Sequence, residues 1–371
     1  MQNKELSLTY GQVTILVIER RRVRRAPGHR ERTAGAAAGR HRDRRRPVGV
    51  DATDSPARAA CERRWKEIPM TAVAHQPDRG HNVPLTKDRT RIGISVTHRP
   101  FTKRPLELTD ALDFWSFAGA AANVVMQMAR PGVGYGVAES KVESGSLMKH
   151  PWKRARTTTQ YLAVAILGTD EERAAYREAV NVAHRQVHSA PGAPVKYNAF
   201  DRNLQLWVAA CLYIGFEDTY QLLHGRMNDE QAEAFYASSS TLGTTLQVTE
   251  DMWPATRAEF DEYWNSACEQ VVLDDYVRDY LGNLLELRMI HWYLRLPFRN
   301  LLKFLTIGFL APLFREQLRV EWTAADQRRF ENLFVFVSFV NRFIPRFVRH
   351  GGSHGLMVDL RRRIRKQKNL I

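Results

Sequence analysis

The sequence has few cysteines, and their positions exclude the common cysteine-based frameworks. Cys61, Cys211 and Cys268 are far apart, no two of them form a CxxC pair, and their number is odd. Structural zinc sites and disulfide scaffolds need closely spaced or evenly paired cysteines, so we expect neither. Such cysteine usage fits a reducing compartment, and we expect a cytoplasmic location.

Long apolar runs are also missing. A transmembrane helix needs about 18 or more consecutive apolar residues, and the chain contains no such stretch. The longest candidate, 301–314, includes Lys303 and Pro312. The apolar stretch 12–18 is followed by an arginine cluster where a signal peptide would have small residues before its cleavage site. We therefore predict neither a membrane-spanning helix nor a standard signal peptide.

Acidic residues are fewer than basic ones: 40 Asp/Glu against 55 Lys/Arg, a net charge of +15. The surplus is concentrated in residues 1–69, which hold 17 Lys/Arg and 8 Asp/Glu. The rest of the chain is only mildly basic. A basic balance can attract nucleic acid or an anionic membrane. We expect no nucleic-acid partner, and we keep an anionic membrane surface as a candidate partner.

Composition divides the chain into three regions. Residues 1–69 are Arg-rich with few periodic apolar residues, which predicts a disordered arm or an upstream extension that is not natural protein. Lys66-Glu67 can be encoded by a purine-rich ribosome-binding site, so we expect translation to begin at Met70. Residues 70–105 predict a loosely packed leader, and residues 106–371 predict the helical domain.

Strand-like alternation and internal repeats are not apparent, whereas helical patterns fill the chain from Leu106 onward. We predict an all-α fold, a single multi-helix globular domain with an apolar cofactor pocket between helices. Gly132, Gly134 and Gly136 predict a loop, which follows a helix and so is no dinucleotide-binding fingerprint. The predicted helices cover 110–129, 152–167, 171–188, 204–223, 230–242, 257 onward, 274–294, 297–314, 324–343 and a basic C-terminal segment.

The most informative pattern is a predicted helical hairpin, 152–167 followed by 171–188. Arg154 and Thr158 are four residues apart and so share a helix face. The short connection makes the helices antiparallel, so His184 is expected near the end that carries Arg154. An imidazole that faces a helical core can ligate iron, and an arginine can neutralise an anionic group beside it. The ordinary alternatives are a histidine satisfied by hydrogen bonds, and an arginine that is a surface residue or is paired with a carboxylate.

Two other sets of residues are weighed as ligands. His188 lies four residues after His184 and competes with it, on the same predicted helix face. Glu217 and Asp218 in an apolar helix suggest a carboxylate metal bundle. Such bundles need paired Glu-x-x-His motifs, which the chain lacks, so we favour pairing of these carboxylates with arginine.

Several motifs follow one another along the chain at informative spacings. They are HPWKRARTTTQYL at 150–162, LGTDEE at 167–172, AHRQV at 183–187, YNAFD at 197–201 with Trp207-Val208, and WPATRAEF at 253–260. Upstream, Gln127 and the Pro131–Val137 glycine-rich segment precede them. Together these motifs, over residues 110–350, resemble the catalytic domain of the MpaB-type and latex-clearing-protein (rubber oxygenase) family.

The resemblance implies an oxidoreductase, an oxygenase that binds haem b and uses dioxygen. Its substrate would be hydrophobic and alkene-bearing, for example an isoprenoid. By the same resemblance His184 is the iron ligand, with His188 as its competitor. Arg154 and Thr158 are implied to lie beside the haem, and Glu139 lies where a catalytic carboxylate base is expected. The ordinary alternative for Glu139 is a solvated loop charge.

Two departures from the family pattern concern the substrate side of the haem. Thr157 stands where the rubber oxygenases place a lysine just before the threonine, so a distal lysine ligand is absent. Ala209 follows Trp207-Val208 where many members have histidine. Both differences put the distal chemistry in doubt.

A non-catalytic function is the main alternative. The aromatic segment 334–347, together with Arg346, Arg349 and the basic tail 361–368, is compatible with a helical protein bound peripherally to an anionic membrane. The ordinary interpretation of the aromatic segment is a core helix. Such a protein would bind lipid or a partner rather than transform a substrate.

Overall fold

The structure is a computed structural model that describes residues 90–96, 98, 100, 102–140, 142 and 145–371. The predictions for residues 1–69, the proposed start at Met70 and the first part of the leader lie outside these residues. The described chain is helical, and an isolated antiparallel bridge joins His188 and Asn198. The predicted all-α fold is confirmed.

Fourteen α-helices are named in the described residues. In chain order they are α1 (Ala120–Met128), α2 (Pro131–Ala138), α3 (Pro151–Leu167), α4 (Asp170–His184), α5 (Arg202–His224), α6 (Asp229–Ala237), α7 (Thr241–Thr244), α8 (Arg257–Cys268), α9 (Asp275–Leu285), α10 (Trp292–Gly308), α11 (Pro312–Gln317), α12 (Ala324–Asn341), α13 (Arg346–Arg349) and α14 (Gly351–Arg365). Short 3-10 helices cover Leu108–Ala111, Phe114–Gly119 and Glu250–Met252. No described helix has both the length and the hydropathy of a membrane span.

Helix α5 forms the centre of the domain. The side chain of Asp201 caps it by accepting hydrogen bonds from the backbone N–H groups of Asn203 and Leu204. Most of its residues are buried, including Trp207 and Tyr213. A helix that is apolar on all sides must be surrounded, and α1, α7 and α12 pack around this one.

Several predicted helix starts are confirmed by their capping bonds. The side chains of Asn228 and Thr256 accept hydrogen bonds from the third residue of α6 and α8 respectively. Thr169 forms a reciprocal capping box with Glu172 at the start of α4. These caps use only neighbours in sequence, which explains why the pattern alone identified them.

The helix predicted over residues 110–129 is wrong in its first half. The chain forms two 3-10 helices there, separated at Asp113, and only α1 is α-helical. Asp113 is extended and fully buried. Its carboxylate accepts bonds from His224 and Arg349, which are distant in sequence. These tertiary bonds outweigh the local helical preference.

The predicted glycine loop is also wrong, because Gly132, Gly134 and Gly136 lie inside α2. Pro131 occupies the first position of that helix, where its missing N–H costs nothing. A Cβ on Gly134 would lie 2.6 Å from the backbone oxygen of Met128. A side chain there would therefore push α2 away from the end of α1, so the glycine serves close packing.

Two further boundaries differ from the prediction. Helix α9 ends at Leu285 rather than near 294, and Leu287 just after it has a positive φ of 52°. Pro297, predicted to begin a helix, lies in the second turn of α10 and is exposed. Because it is exposed, water can solvate the carbonyl that loses its helical hydrogen bond there.

Part of the predicted leader packs in the core, whereas Lys103, Arg104 and Pro105 are exposed. Ile92, Ile94 and Val96 are at most 5% exposed and belong to the main core. The backbone N–H groups of Arg91 and Ile92 each donate to Asp218 on α5 at 3.0 Å. This segment is therefore part of the domain.

Candidate functional site

The predicted hairpin exists as α3 and α4. Pro151 begins α3, and Thr169 caps α4 after a two-residue connection. The hydroxyl of Tyr176 on α4 donates to the backbone oxygen of Thr157 on α3 at 2.7 Å. Because the helices are antiparallel, the start of α3 and the end of α4 lie at the same end of the hairpin.

His184 is the last residue of α4, and its imidazole has no hydrogen-bond partner among the described residues. Its Nδ1 atom is buried and makes no hydrogen bond. The ring packs edge-on against Phe200, with centroids 6.2 Å apart. Burial, together with the positive charge of Arg154, lowers the pKa of His184 to about 4. The imidazole is therefore neutral near pH 7 and keeps a nitrogen lone pair that can bind a metal.

Arg154 lies near the start of α3 and influences the same ring electrostatically. Its side chain is accessible to water, yet the surrounding protein lowers its pKa. Its closest electrostatic neighbours include Tyr280 and Tyr176. None of the described carboxylates forms an ion pair with it, so of the two ordinary alternatives pairing with a carboxylate is not found in that part of the chain, whereas the exposure of Arg154 agrees with a surface residue.

Thr158 is one turn after Arg154 and differs from its two threonine neighbours. The hydroxyl of Thr157 donates to the backbone oxygen of Arg154 at 3.1 Å, and that of Thr159 donates to Ala155 at 2.9 Å. The Thr158 hydroxyl is exposed and makes no hydrogen bond to a described residue. It is thus available to a ligand, whereas the hydroxyl of Thr157 is already used.

Glu139 lies just after α2 and is held by a tyrosine. The Tyr197 hydroxyl donates to Glu139 Oε2 at 2.9 Å. Burial and this hydrogen bond raise the pKa of Tyr197 to about 12, so the phenol keeps its proton. Glu139 is exposed. Its carboxylate is therefore a water-accessible acceptor held by one hydrogen bond, an arrangement that fits both the predicted base and a solvated charge at the end of a helix.

Two tyrosines of α9 interact with the predicted site residues Glu139 and Arg154. Tyr276 and Tyr280 are four residues apart and share a face. Tyr276 interacts electrostatically with Glu139, and Tyr280 interacts with Arg154 and Tyr276. Sequence reasoning missed both residues. Their spacing on one helix was a visible signal, but nothing local indicates that Tyr280 lies near Arg154 of α3.

The structure does not support the predicted equivalence of His188 and His184. Helix α4 ends at His184 with Arg185 as its C-cap, so the four-residue spacing no longer places both rings on one helix face. His188 is exposed, and its Nδ1 lies 3.3 Å from the backbone oxygen of Ser189. The chain turns here to form the bridge to Asn198, which removes the helical register.

The preferred interpretation, pairing with arginine, is confirmed for Glu217, whereas Asp218 accepts the backbone N–H groups of Arg91 and Ile92 instead. Glu217 is fully buried and paired with Arg91 at 2.6 Å and with Arg257 at 2.7 Å. The two arginines hold the pKa of Glu217 at about 2 against the opposing effect of burial. Burial raises the pKa of Asp218 to about 7. Each carboxylate oxygen of Glu217 and Asp218 has a hydrogen-bond or ion-pair partner, so the two residues are structural.

A second polar cluster surrounds Asp113 and was not predicted. Its carboxylate lies 2.6 Å from His224 Nε2, 2.8 Å from Arg349 Nη1 and 3.3 Å from His350 Nε2. Asn341 adds a further bond at 3.3 Å. The hydrogen bonds and charges of these partners hold the pKa of Asp113 well below its usual value. The cluster joins the start of the domain to its last helices.

Metal binding by side chains alone finds no support in the described residues. They contain no group of three His, Cys, Asp or Glu side chains arranged around a common point. A haem iron needs only one axial protein ligand, because the porphyrin supplies the other donors. Among the described residues, His184 supplies one such imidazole, which is neutral near pH 7.

Comparison with known proteins adds family information. The family model described as "ER-bound oxygenase mpaB/B'/Rubber oxygenase, catalytic domain" matches residues 110–339. The uncharacterized protein Rv2237 of Mycobacterium tuberculosis is 52% identical over 225 residues, which cover 61% of this chain and 88% of that protein. The uncharacterized protein Mb2261 of Mycobacterium bovis matches with the same figures. No solved structure matches the chain.

Proposed function

Because this chain belongs to the mpaB and rubber oxygenase catalytic-domain family, we propose that it is a haem b-dependent oxygenase with His184 as the iron ligand. The observation that carries the proposal is the buried Nδ1 of His184, which lacks a partner in the described residues. A buried polar atom left unsatisfied costs about 1–3 kcal/mol. A ligand that bonds to this ring would offset the cost.

Haem b, when bound, supplies an iron centre that activates dioxygen. The role of His184 is to hold that group through a neutral imidazole. Its lowered pKa supports this role, because protonation does not compete for the lone pair near pH 7. The edge-on contact with Phe200 restricts rotation of the ring. The protein thus presents an oriented ligand.

Arg154 and Thr158 have the roles of binding the anionic and polar atoms beside the iron. Arg154 is a cation with no described carboxylate partner, which makes it suited to a haem propionate or to negative charge that develops during the reaction. Thr158 has a free hydroxyl on the same helix face. Position 157 carries a threonine in place of the lysine of the rubber oxygenases, and its hydroxyl already donates to the backbone oxygen of Arg154 in α3.

Glu139 has the proposed role of a proton acceptor. The Tyr197 hydroxyl fixes Oε2, so the carboxylate points in a defined direction. Its exposed side chain can exchange protons with water. On one face of α9, Tyr276 interacts electrostatically with Glu139 and Tyr280 with Arg154, and these two rings are here called the aromatic wall.

We propose a hydrophobic, alkene-bearing substrate of the isoprenoid type. The support is the family description, which names rubber oxygenase. The relatives at 52% identity are uncharacterized, so they do not narrow the substrate class. The aromatic wall of α9 is chemically compatible with an apolar chain.

Absorption spectroscopy of protein from haem-replete cells tests the cofactor assignment. Wild type should show a Soret band, and His184→Ala should lose it because the axial ligand is gone. His188→Ala is the matched control and should keep the band, since that ring lies outside α4. Colourless wild-type protein, or loss of the band in His188→Ala alone, contradicts the assignment.

Dioxygen uptake tests the reaction separately. With an oligo-isoprenoid alkene, the haem-loaded wild type should consume dioxygen and form carbonyl products, and His184→Ala should do neither. If haem binds normally but the alkene stimulates no uptake, the cofactor assignment stands and the substrate assignment is wrong.

A further inference from the structure

The outward side of α12 and α13 carries an apolar surface that folding does not use. Val335, Phe336, Phe339, Phe343 and Phe347, here called the aromatic stripe, are 59–77% exposed. Successive members are one to four residues apart, so in α12 and just beyond it they follow one helical face. Four exposed phenylalanines in 12 residues form an unusual concentration for a protein surface.

The opposite side of α12 is packed in the core. Phe330 and Phe334 are at most 3% exposed. Their ring centroids lie 5.2 and 5.1 Å from that of Phe309, which follows α10. A helix that is apolar on both sides needs a second apolar neighbour. The described residues provide one on the inner side only.

Most charges around the aromatic stripe are positive. Arg328 lies two turns before its beginning, with Glu331 between them, and Arg342 and Arg346 lie between its last members. All three arginines are exposed, and Arg346 also pairs with Asp110 at 3.0 Å. Residues 332–358 contain no Asp or Glu. Residues 332–371 hold nine Lys/Arg and one acidic residue, Asp359. The apolar surface is therefore bordered by cations.

We propose that the aromatic stripe docks on the surface of an anionic lipid bilayer. The phenylalanines would enter the boundary between headgroups and acyl chains, and the arginines would contact lipid phosphates. No spanning helix is needed for this peripheral mode. The proposal is independent of haem binding and concerns where the proposed oxygenase acts.

Charge favours a bilayer over two other occupants. In a symmetric dimer the same surface meets itself, so the arginines at the two ends of the stripe would face arginines of the second copy. Residues 1–69 of the same chain carry a surplus of basic residues and so are also poorly matched to a basic border. An anionic bilayer matches both the apolar centre and the positive border.

Vesicle flotation with the full chain tests the proposal. Wild type should float with vesicles of mixed phosphatidylglycerol and phosphatidylcholine, and it should bind much less to pure phosphatidylcholine. Phe339→Ser/Phe343→Ser should lower the partition coefficient on the order of a hundredfold, since each buried phenylalanine contributes about tenfold. Arg328→Gln/Arg342→Gln should lower it by about fivefold per arginine, and added salt should weaken wild-type binding.

Val272→Ser/Val358→Ser is the matched control, because it removes two exposed apolar side chains elsewhere on the domain. It should bind vesicles like wild type. Thermal unfolding of each variant should match wild type, since all the replaced side chains are exposed. Absence of wild-type binding to the anionic vesicles, or an equal loss in the control, overturns the proposal. A wild-type dimer that Phe339→Ser/Phe343→Ser dissociates, without vesicle binding, also overturns it.

Discussion

The Glu217 cluster and the His184 region both enclose polar side chains between helices, but they differ in how these groups are paired. Glu217 meets two arginines, and Asp113 meets two histidines and an arginine. His184 has a buried nitrogen without a described partner. Buried polar groups are normally satisfied. The carboxylate oxygens of the first two clusters all have partners, which marks them as structural, although Arg91 Nη2 and Asn341 Oδ1 beside them are buried without one. The His184 ring differs because it makes no hydrogen bond to a described residue, and we propose it as the place where a ligand binds.

The largest loss of stability is expected from a substitution at Glu217, and it tests the difference between paired and unpaired buried groups. Glu217→Gln should lower the free energy of unfolding by about 3–5 kcal/mol, because Arg91 and Arg257 would be left without their buried countercharge. Denaturant titration measures the loss. Glu178→Gln is the control: Glu178 pairs with Arg185 at 3.1 Å, but both side chains are more than 60% exposed. It should cost less than about 1 kcal/mol, and equal losses would contradict the structural role of Glu217.

A pH effect of intermediate size is expected at Asp113. Its pKa is lower in the folded protein than in the unfolded chain. The stabilisation is therefore complete above the unfolded pKa near 4 and is lost as the pH falls towards the folded pKa. The contribution is on the order of 2 kcal/mol.

Denaturant titrations at a series of acidic pH values check this sign. Asp113→Asn should be less stable than wild type at neutral pH and should show a shallower loss of stability below pH 4. Glu217, whose pKa is about 2, titrates in the same window and accounts for the slope that remains. An unchanged slope in Asp113→Asn would show that the cluster does not favour the ionised carboxylate.

The smallest change in the free energy of unfolding is expected at His184. A small change would indicate that the ring, unlike Glu217, does not stabilise the fold. In haem-free protein His184→Ala should change the free energy of unfolding by less than about 1 kcal/mol, because the ring contributes no hydrogen bond. Wild type should lose stability as the pH falls from about 6.5 towards 4, since the folded imidazole resists protonation. His184→Ala should lack that part of the pH dependence. A loss as large as that of Glu217→Gln would indicate a structural histidine.

Sequence patterns predicted those parts of the site that depend on local rules. The hairpin of α3 and α4 follows from Pro151 and the Thr169 capping box, so Arg154, Thr158 and the end that carries His184 were identified in advance. Helix spacing also suggested His188, but α4 stops four residues earlier than predicted. The bridge to Asn198 is a contact across a loop, and periodicity contains no information about it.

Residues brought by other helices could not be predicted in the same way. Tyr276 and Tyr280 belong to α9, and only packing places them near Glu139 and Arg154. The partners of Asp113 come from more than 100 residues away in sequence. The glycines of α2 looked like a loop because their packing reason is absent from the local sequence: Gly134 lies against α1 and α9, and the other two lie against Leu204 and Tyr197.

By itself the sequence determined the helical class, most helix starts, the hairpin and the family, because capping bonds and apolar periodicity act over a few residues. Tertiary structure alone decided which histidine is enclosed, which carboxylates are neutralised and which face of α12 stays in water. These outcomes depend on desolvation and on charges that meet across the fold, and neither is set until distant helices pack together.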